Sequence, residues 1–256
     1  MWKVLVLIPF ALDDAGIANR SAQLKAVVLG PDITFDFRGV KAGPDLYDSY
    51  HDMAMADISM FEAGCTAQAD GYDAVCIDTM SDSGANALRS VLDIPVISPA
   101  RTTFSLMLML GNKFGVLTQW DPWKKLYTKA ASELNLQNHL VGVESINTLP
   151  DVRNLLGGKE EVVFPKLLAA GLRLVDKGAE AIVLGSTTMH QSAKFLAENL
   201  PVPLLNPGPV TYKMAELMLS LKLTHSHVAY PKPNKEKLGM LHAMMDGAAR
   251  YEADKS

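Results

Sequence analysis

One stretch of this chain occurs twice. Gly71-Tyr-Asp-Ala-Val-Cys-Ile-Asp-Thr79-Met-Ser-Asp-Ser83 returns as Gly178-Ala-Glu-Ala-Ile-Val-Leu-Gly-Ser186-Thr-Thr-Met-His190. Each copy then runs through a helical pattern to a matching apolar segment, Ile94-Pro-Val-Ile-Ser-Pro99 in the first and Val202-Pro-Leu-Leu-Asn-Pro207 in the second. A weaker echo pairs Lys3-Val-Leu-Val-Leu with Lys113-Phe-Gly-Val-Leu. Internal repetition on this scale means one supersecondary unit used twice, so the chain reads as two related lobes.

The units themselves are strand–helix–strand. Short apolar runs at Val4–Pro9, Ile33–Val40, Ala74–Thr79, Pro95–Ser98, Phe114–Thr118, Val141–Ile146, Ala181–Ser186 and Val202–Asn206 alternate with longer amphipathic segments. The segments between them predict helices over Ala15–Leu29, Asp45–Ala69, Ser83–Leu92, Thr103–Leu110, Pro122–Leu134, Lys159–Lys177, Gln191–Asn199 and Tyr212–Leu221, with a last one over Met240–Ala249. That alternation is the pattern of an α/β fold. The expected architecture is two pseudo-symmetric lobes, each a mainly parallel sheet flanked by helices, with the active site in the cleft between them. Residues 1–99 with 211–256 form the first lobe and 100–210 the second.

Composition removes several function classes. With 24 Lys+Arg against 28 Asp+Glu and no basic run, nothing offers duplex nucleic acid a phosphate-neutralising surface. No apolar stretch approaches the roughly 18 residues a membrane span needs. The apolar run Val4–Leu12 has one lysine before it and Asp13-Asp14 after it, so it reads as a buried strand and not as an export signal. Two cysteines and 13 methionines suit a reducing compartment, and a cytoplasmic location is expected. No Walker motif and no G-x-G-x-x-G is present, so no nucleotide cofactor is indicated. His225-x-His227 lacks a third ligand nearby, and no metal site is assigned to it.

The repeat also locates a candidate site. In open α/β sheets ligands bind beyond the carboxyl ends of strands, and Thr79 and Ser186 stand where a strand gives way to a helix in each copy. Two lobes facing across a pseudo-twofold axis bring both hydroxyls to one cleft. Met80-Ser81-Asp82-Ser83 and Thr187-Thr188-Met189-His190 supply capping residues and free backbone N–H groups beside them, suited to carboxylates or carbonyls.

At these residues the chain resembles the aspartate/glutamate racemase superfamily, and within it the hydantoin and allantoin racemases. The resemblance rests on Gly43-Pro44 with Tyr47-Asp48-Ser49, on Gly71-Tyr-Asp-Ala-Val75, on Ser81-Asp82-Ser-Gly84, on Ile182-Val-Leu-Gly-Ser186, and on Tyr212-Lys-Met-Ala-Glu216 with Leu221-Lys-Leu-Thr-His-Ser226. It implies a cofactor-independent enzyme in which two cysteines work on opposite faces of a carbon next to a carbonyl. The positions that match those cysteines are Thr79 and Ser186. Cys76 lies in the first repeat's strand and Cys65 in the preceding helix, and both read as core residues. The family's polar loop after the first strand is Ile8-Pro9-Phe10-Ala11 here, so Pro9 and Phe10 point to a ligand with an apolar part. Thr118, Trp120 and Trp123, at and beyond the strand Phe114–Thr118, are expected to line the same pocket. Members with two lobes commonly oligomerise, and a homo-oligomer is expected.

Without thiols, the candidate reacting groups are Thr79, Ser186, His190 and Asp82, with Met80, Ser81, Thr187 and Thr188 holding substrate. Asp13, Asp14, Asp48 and His51 are more remote. Asp78 precedes Thr79 and points to the opposite face unless the strand end twists. One reading keeps proton transfer beside a carbonyl, as in isomerisation, decarboxylation or elimination, the hydroxyls polarising the substrate while Asp82, His190 or water moves the proton. A second pairs Ser186 with His190, four residues on, as a hydrolase opening a cyclic amide or lactone. A third is a two-lobe small-molecule binding protein without catalysis.

Overall fold

Strands that are buried along most or all of their length anchor two separate sheets. The computed structural model describes residues 1–151 and 155–254; the expected lobe ranges also take in 152–154 and 255–256, which lie outside the described residues. The first half runs β1 (Trp2–Ile8), α1 (Asp14–Ser21), β2 (Ile33–Gly39), α2 (Tyr50–Gly64), β3 (Ala74–Ile77), α3 (Ala85–Val91), β4 (Val96–Ile97) and α4 (Pro99–Met107). The second runs β5 (Phe114–Thr118), α5 (Lys124–Glu133), β6 (Leu140–Ser145), α6 (Glu160–Asp176), β7 (Ala181–Leu184), α7 (Ala193–Asn199), β8 (Leu204–Leu205) and α8 (Pro207–Ser220), and α9 (Leu238–Ala253) follows.

The sheets have orders β2-β1-β3-β4 and β6-β5-β7-β8, and every pairing is parallel. The repeat is therefore structural: β3 corresponds to β7, β4 to β8 and β1 to β5. Val4–Ile8 of β1 and all of β3, β5 and β7 are buried, as central strands covered on both faces must be. The outer strands β2 and β6 keep partial exposure.

The lobes are joined by exchange of helices. After β4 the chain crosses into the second lobe, where α4 meets β7 and sets Phe104 against Phe114 with ring centroids 5.1 Å apart. After β8 it returns, and α8 packs on β3 with Tyr212 against Phe35 and Phe37 at 5.2 and 6.2 Å. One apolar cluster, including Ile8, Phe10, Met80, Phe104, Trp123, Tyr127 and Val183, draws on both lobes. The lobe ends that carry the strand termini are thus held together by a shared core.

Element ends differ from the sequence expectation for identifiable reasons. The helices expected to start at Thr103 and Tyr212 begin at Pro99 and Pro207; a proline without an N–H suits the first helical turn. The long helix expected from Asp45 begins only at Tyr50, where Ser49 and Asp52 form a reciprocal capping box, and it stops at Gly64. The segment expected as one helix over Ala15–Leu29 divides into α1 and a 3₁₀ turn over Ala22–Ala26. Gly84, which precedes α3, takes φ +74°, and a Cβ there would sit 2.9 Å from the Phe61 backbone nitrogen, so only glycine fits. Among the described residues no helix is long and apolar enough to cross a membrane.

Candidate active site

In both sheets the strand order reverses between the first and third strands in sequence, β1/β3 and β5/β7, which opens a crevice at their carboxyl ends. The loops leaving those strands meet there. A cavity lies between them, walled from the first lobe by Pro9, Phe10, Arg20, Tyr47, Asp78, Thr79, Met80 and Ser81, and from the second by Trp123, Leu126, Tyr127, Gly185, Ser186, Thr187 and Thr188. Its volume is about 20 Å³, room for roughly one water molecule, so its walls must part before a substrate enters. A larger cleft of about 310 Å³ adjoins it, sharing Ser81 and Leu126 and carrying Asp57, Asp82, Arg89, Arg101 and Lys129.

Thr79 and Ser186 occupy equivalent local structures. Ser186 caps the following turn: its Oγ accepts from Thr188 N at 3.2 Å and lies 2.7 Å from Thr188 Oγ1. Thr79 Oγ1 accepts from Ser81 N at 3.5 Å and lies 3.1 Å from Ser81 Oγ, which in turn meets Ser83 Oγ at 2.8 Å. Each hydroxyl is therefore held by the backbone and the hydroxyl two residues on, a local bond that competes with regular helix and fixes the side chain at the strand end. The second strand end has an extra brace, because Tyr127 donates its phenol proton to the Gly185 carbonyl and lies 2.9 Å from Thr118 Oγ1. A Cβ at Gly185 would fall 2.7 Å from the Tyr127 ring. Glycine is what lets that ring approach.

A charged network closes the back of the cavity. Arg20 Nη1 of α1 donates to Asp78 Oδ2 at 3.2 Å and to Thr187 Oγ1 of the other lobe at 2.9 Å. Thr187 Oγ1 donates to the Asp78 carbonyl at 3.1 Å, and Gln23 Nε2 to Asp78 Oδ1 at 3.2 Å. Arg20 and Asp78 are each 1–2% exposed. Burial raises the Asp78 carboxyl above the ordinary carboxylate range, while Arg20, Gln23 and Thr187 draw it back.

The expected residues divide cleanly. Thr79, Ser186, Pro9, Phe10, Met80, Ser81, Thr187 and Thr188 line the cavity. Thr118 does not; its hydroxyl is turned to Tyr127. Trp120 stands behind Trp123, edge to face at 6.2 Å, and only Trp123 reaches the wall. Asp82 is also outside the wall, because its carboxylate accepts from Ala100 N and Arg101 N at 2.8 and 2.9 Å and so caps α4. Asp13 caps α1 through Gly16 N; Asp14, Asp48 and His51 lie away from the cavity.

His190 is the clearest correction. Residues Thr187–Ser192 form a 3₁₀ turn, whose threefold repeat puts residues four apart on different sides. Ser186 is bonded to Thr188, and His190 faces the Asn19 backbone and the Arg20 charge. Burial, then Arg20, push its imidazole down to about 4 from 6.5. The unfolded chain then binds a proton that the folded one refuses. Stability is intact above pH 6.5 and falls as pH drops through 4, by about 3 kcal/mol in full. Urea unfolding between pH 7 and pH 4 should show this slope, and His190→Asn should flatten it; an unchanged slope in the variant contradicts the assignment.

Arg20, Tyr47, Leu126, Tyr127 and Gly185 were not among the expected site residues. Tyr47 had a visible signal, since it stands inside the Gly43-Pro44 motif. Arg20 had none in its own helix. Cys76 points to the Thr211 carbonyl at 3.9 Å, and Cys65 donates to the Glu62 carbonyl with His242 Nε2 at 3.9 Å. Burial and then Glu62 raise the Cys65 thiol to about 11, and burial raises Cys76 further. Neither lines the cavity, as expected of core residues.

A model of the Asp/Glu/hydantoin racemase family matches residues 18–215. The chain belongs to this family. A hydantoin racemase of a Pseudomonas species is 28% identical over 201 residues, covering 77% of this chain and 79% of that protein. The allantoin racemase of Klebsiella pneumoniae superposes with a TM-score of 0.83 at 24% identity, over 92% of this chain and 95% of that one. Arylmalonate decarboxylase superposes with a TM-score of 0.58 at 18% identity, over 83% and 90%. The racemase family's two-lobe α/β fold is the one described above.

Proposed function

We propose that this chain is a cofactor-independent enzyme that acts at the carbon next to a carbonyl of a small carboxylate or cyclic amide, by isomerase- or lyase-type proton transfer without thiols. The observation that carries this reading is the pairing of Thr79 and Ser186 at equivalent strand ends on the wall of one interlobe cavity, with both cysteines elsewhere. Hydroxyls are poor bases but good donors. Thr79, Ser186 and Thr188, with the N–H groups of the adjoining turns, are suited to hold a substrate carbonyl or carboxylate and the negative charge that develops when the neighbouring carbon loses a substituent. With Asp82 bound to α4 and His190 turned away, Asp78 is the carboxyl left on the cavity wall, and it or water becomes the proton carrier. The hydrolase reading loses its main support, since Ser186 bonds to Thr188 and has no imidazole partner.

Proton NMR in deuterium oxide, with a panel of hydantoins, small dicarboxylates, lactams and lactones, tests this. Deuterium uptake or loss of carbon dioxide at the carbon beside a carbonyl is the expected result. New ring-opened carboxylate and amine signals point to hydrolysis, and binding with no change in any compound points to a binding protein; either overturns the reading.

A further inference from the structure

Arg20 is used on one side only. Its Nη1 is committed to Asp78 and Thr187, but its Nε and Nη2 are buried with no hydrogen-bond partner among the described residues. The residue is 1% exposed and forms part of the cavity wall. A guanidinium buried with an unsatisfied edge is costly to keep in a core. Nε and Nη2 form a two-donor edge of the planar fork, and two parallel N–H groups match the two oxygens of a carboxylate. Phe10 holds the fork, with the guanidinium carbon 5.7 Å from its ring centroid. A second unpartnered donor, Trp123 Nε1, is 5% exposed on the opposite wall.

We propose that the Nε–Nη2 edge of Arg20 is a carboxylate-binding subsite, so that the substrate of this cavity is an organic anion with an apolar substituent and not a neutral ring. The inference rests on the proposed site and narrows its substrate class. Arg20 supplies the fork and Trp123 a further donor, while Phe10, Met80 and Leu126 face the apolar part. A neutral hydantoin offers carbonyls and N–H groups but no second oxygen at carboxylate spacing, and would leave part of the fork unsatisfied. Arg20 also bridges the lobes through Thr187, so the same residue that meets the anion links the two walls that must part to admit it.

Calorimetric titration of the wild-type protein with phenylacetate and with phenylacetamide is the test, because the pair differs only in the anionic group. Phenylacetate is expected to bind about tenfold tighter or more. Arg20→Lys keeps the charge but not the fork, and should bring the ratio of acid to amide affinity close to one. Equal affinity for acid and amide, or binding of neither, overturns the proposal whether or not the variant folds. Acid-selective binding without proton exchange would retain the subsite and sink the enzymatic reading; exchange on neutral rings with no acid preference would do the reverse.

Discussion

Replacing Asp78 with alanine is expected to destabilise the fold by about 3–5 kcal/mol, because removing one member of a buried ion pair leaves the other charged and uncompensated. Arg20 then keeps only Thr187 for its Nη1, and Gln23 Nε2 keeps only the Arg20 carbonyl. The bonds of Thr187 across the lobes, to Arg20 Nη1 and to the Asp78 backbone carbonyl, do not need the carboxylate and should survive. Asp78→Asn retains an oxygen for Gln23 and should cost less. Arg20→Met combined with Asp78→Leu removes both charges and should recover most of the loss, as apolar replacement of buried pairs often does. Urea midpoints of the four proteins decide it. A double variant no more stable than Asp78→Ala would show that the two charges do not act as a pair.

Ser186→Ala and Thr79→Ala are each expected to lower turnover by about 10²-fold or more, the scale on which loss of one donor to a developing oxyanion is felt. The equivalence of the two positions makes this a paired prediction. Each hydroxyl bonds the N–H two residues on, so alanine removes a donor and loosens the turn that aims the neighbouring N–H groups. Met80→Leu, which changes an apolar wall in volume-conserving fashion, should affect substrate affinity far more than the rate at saturation. Steady-state kinetics on the substrate found by NMR gives both numbers. Unaltered rates in both alanine variants would remove Thr79 and Ser186 from the site.

The fold was legible because its strongest signal is local. Gly71–Ser83 and Gly178–His190 each encode a buried strand, a turn and a helix start, and matching them yields the correspondence of β3 with β7. Helix starts were read late at Pro99 and Pro207, since a proline after a strand looks like a strand end until its place in a first helical turn is known. The site was legible only where it too is local, at the strand ends. Arg20 meets Asp78 and Thr187 across sequence separations of 58 and 167 residues, and no pattern within α1 distinguishes it from a solvated arginine. His190 was misread because a 3₁₀ turn and an α-helix differ by one residue in register and diverge on which side chain faces the cleft. Asp82 faces the adjoining cleft and not the cavity of Thr79, because it caps α4, whose N-terminus lies four residues before the expected Thr103.

The central claim is that the chemistry of this cavity is carried by hydroxyls and not by thiols. Its most direct test is the rate of proton exchange or turnover, followed by NMR in deuterium oxide, for Cys65→Ser combined with Cys76→Ala beside the wild type, both held where circular dichroism shows them folded. The account predicts the same rate for the protein without thiols as for the wild type. Loss of the reaction in the folded thiol-free variant would contradict it.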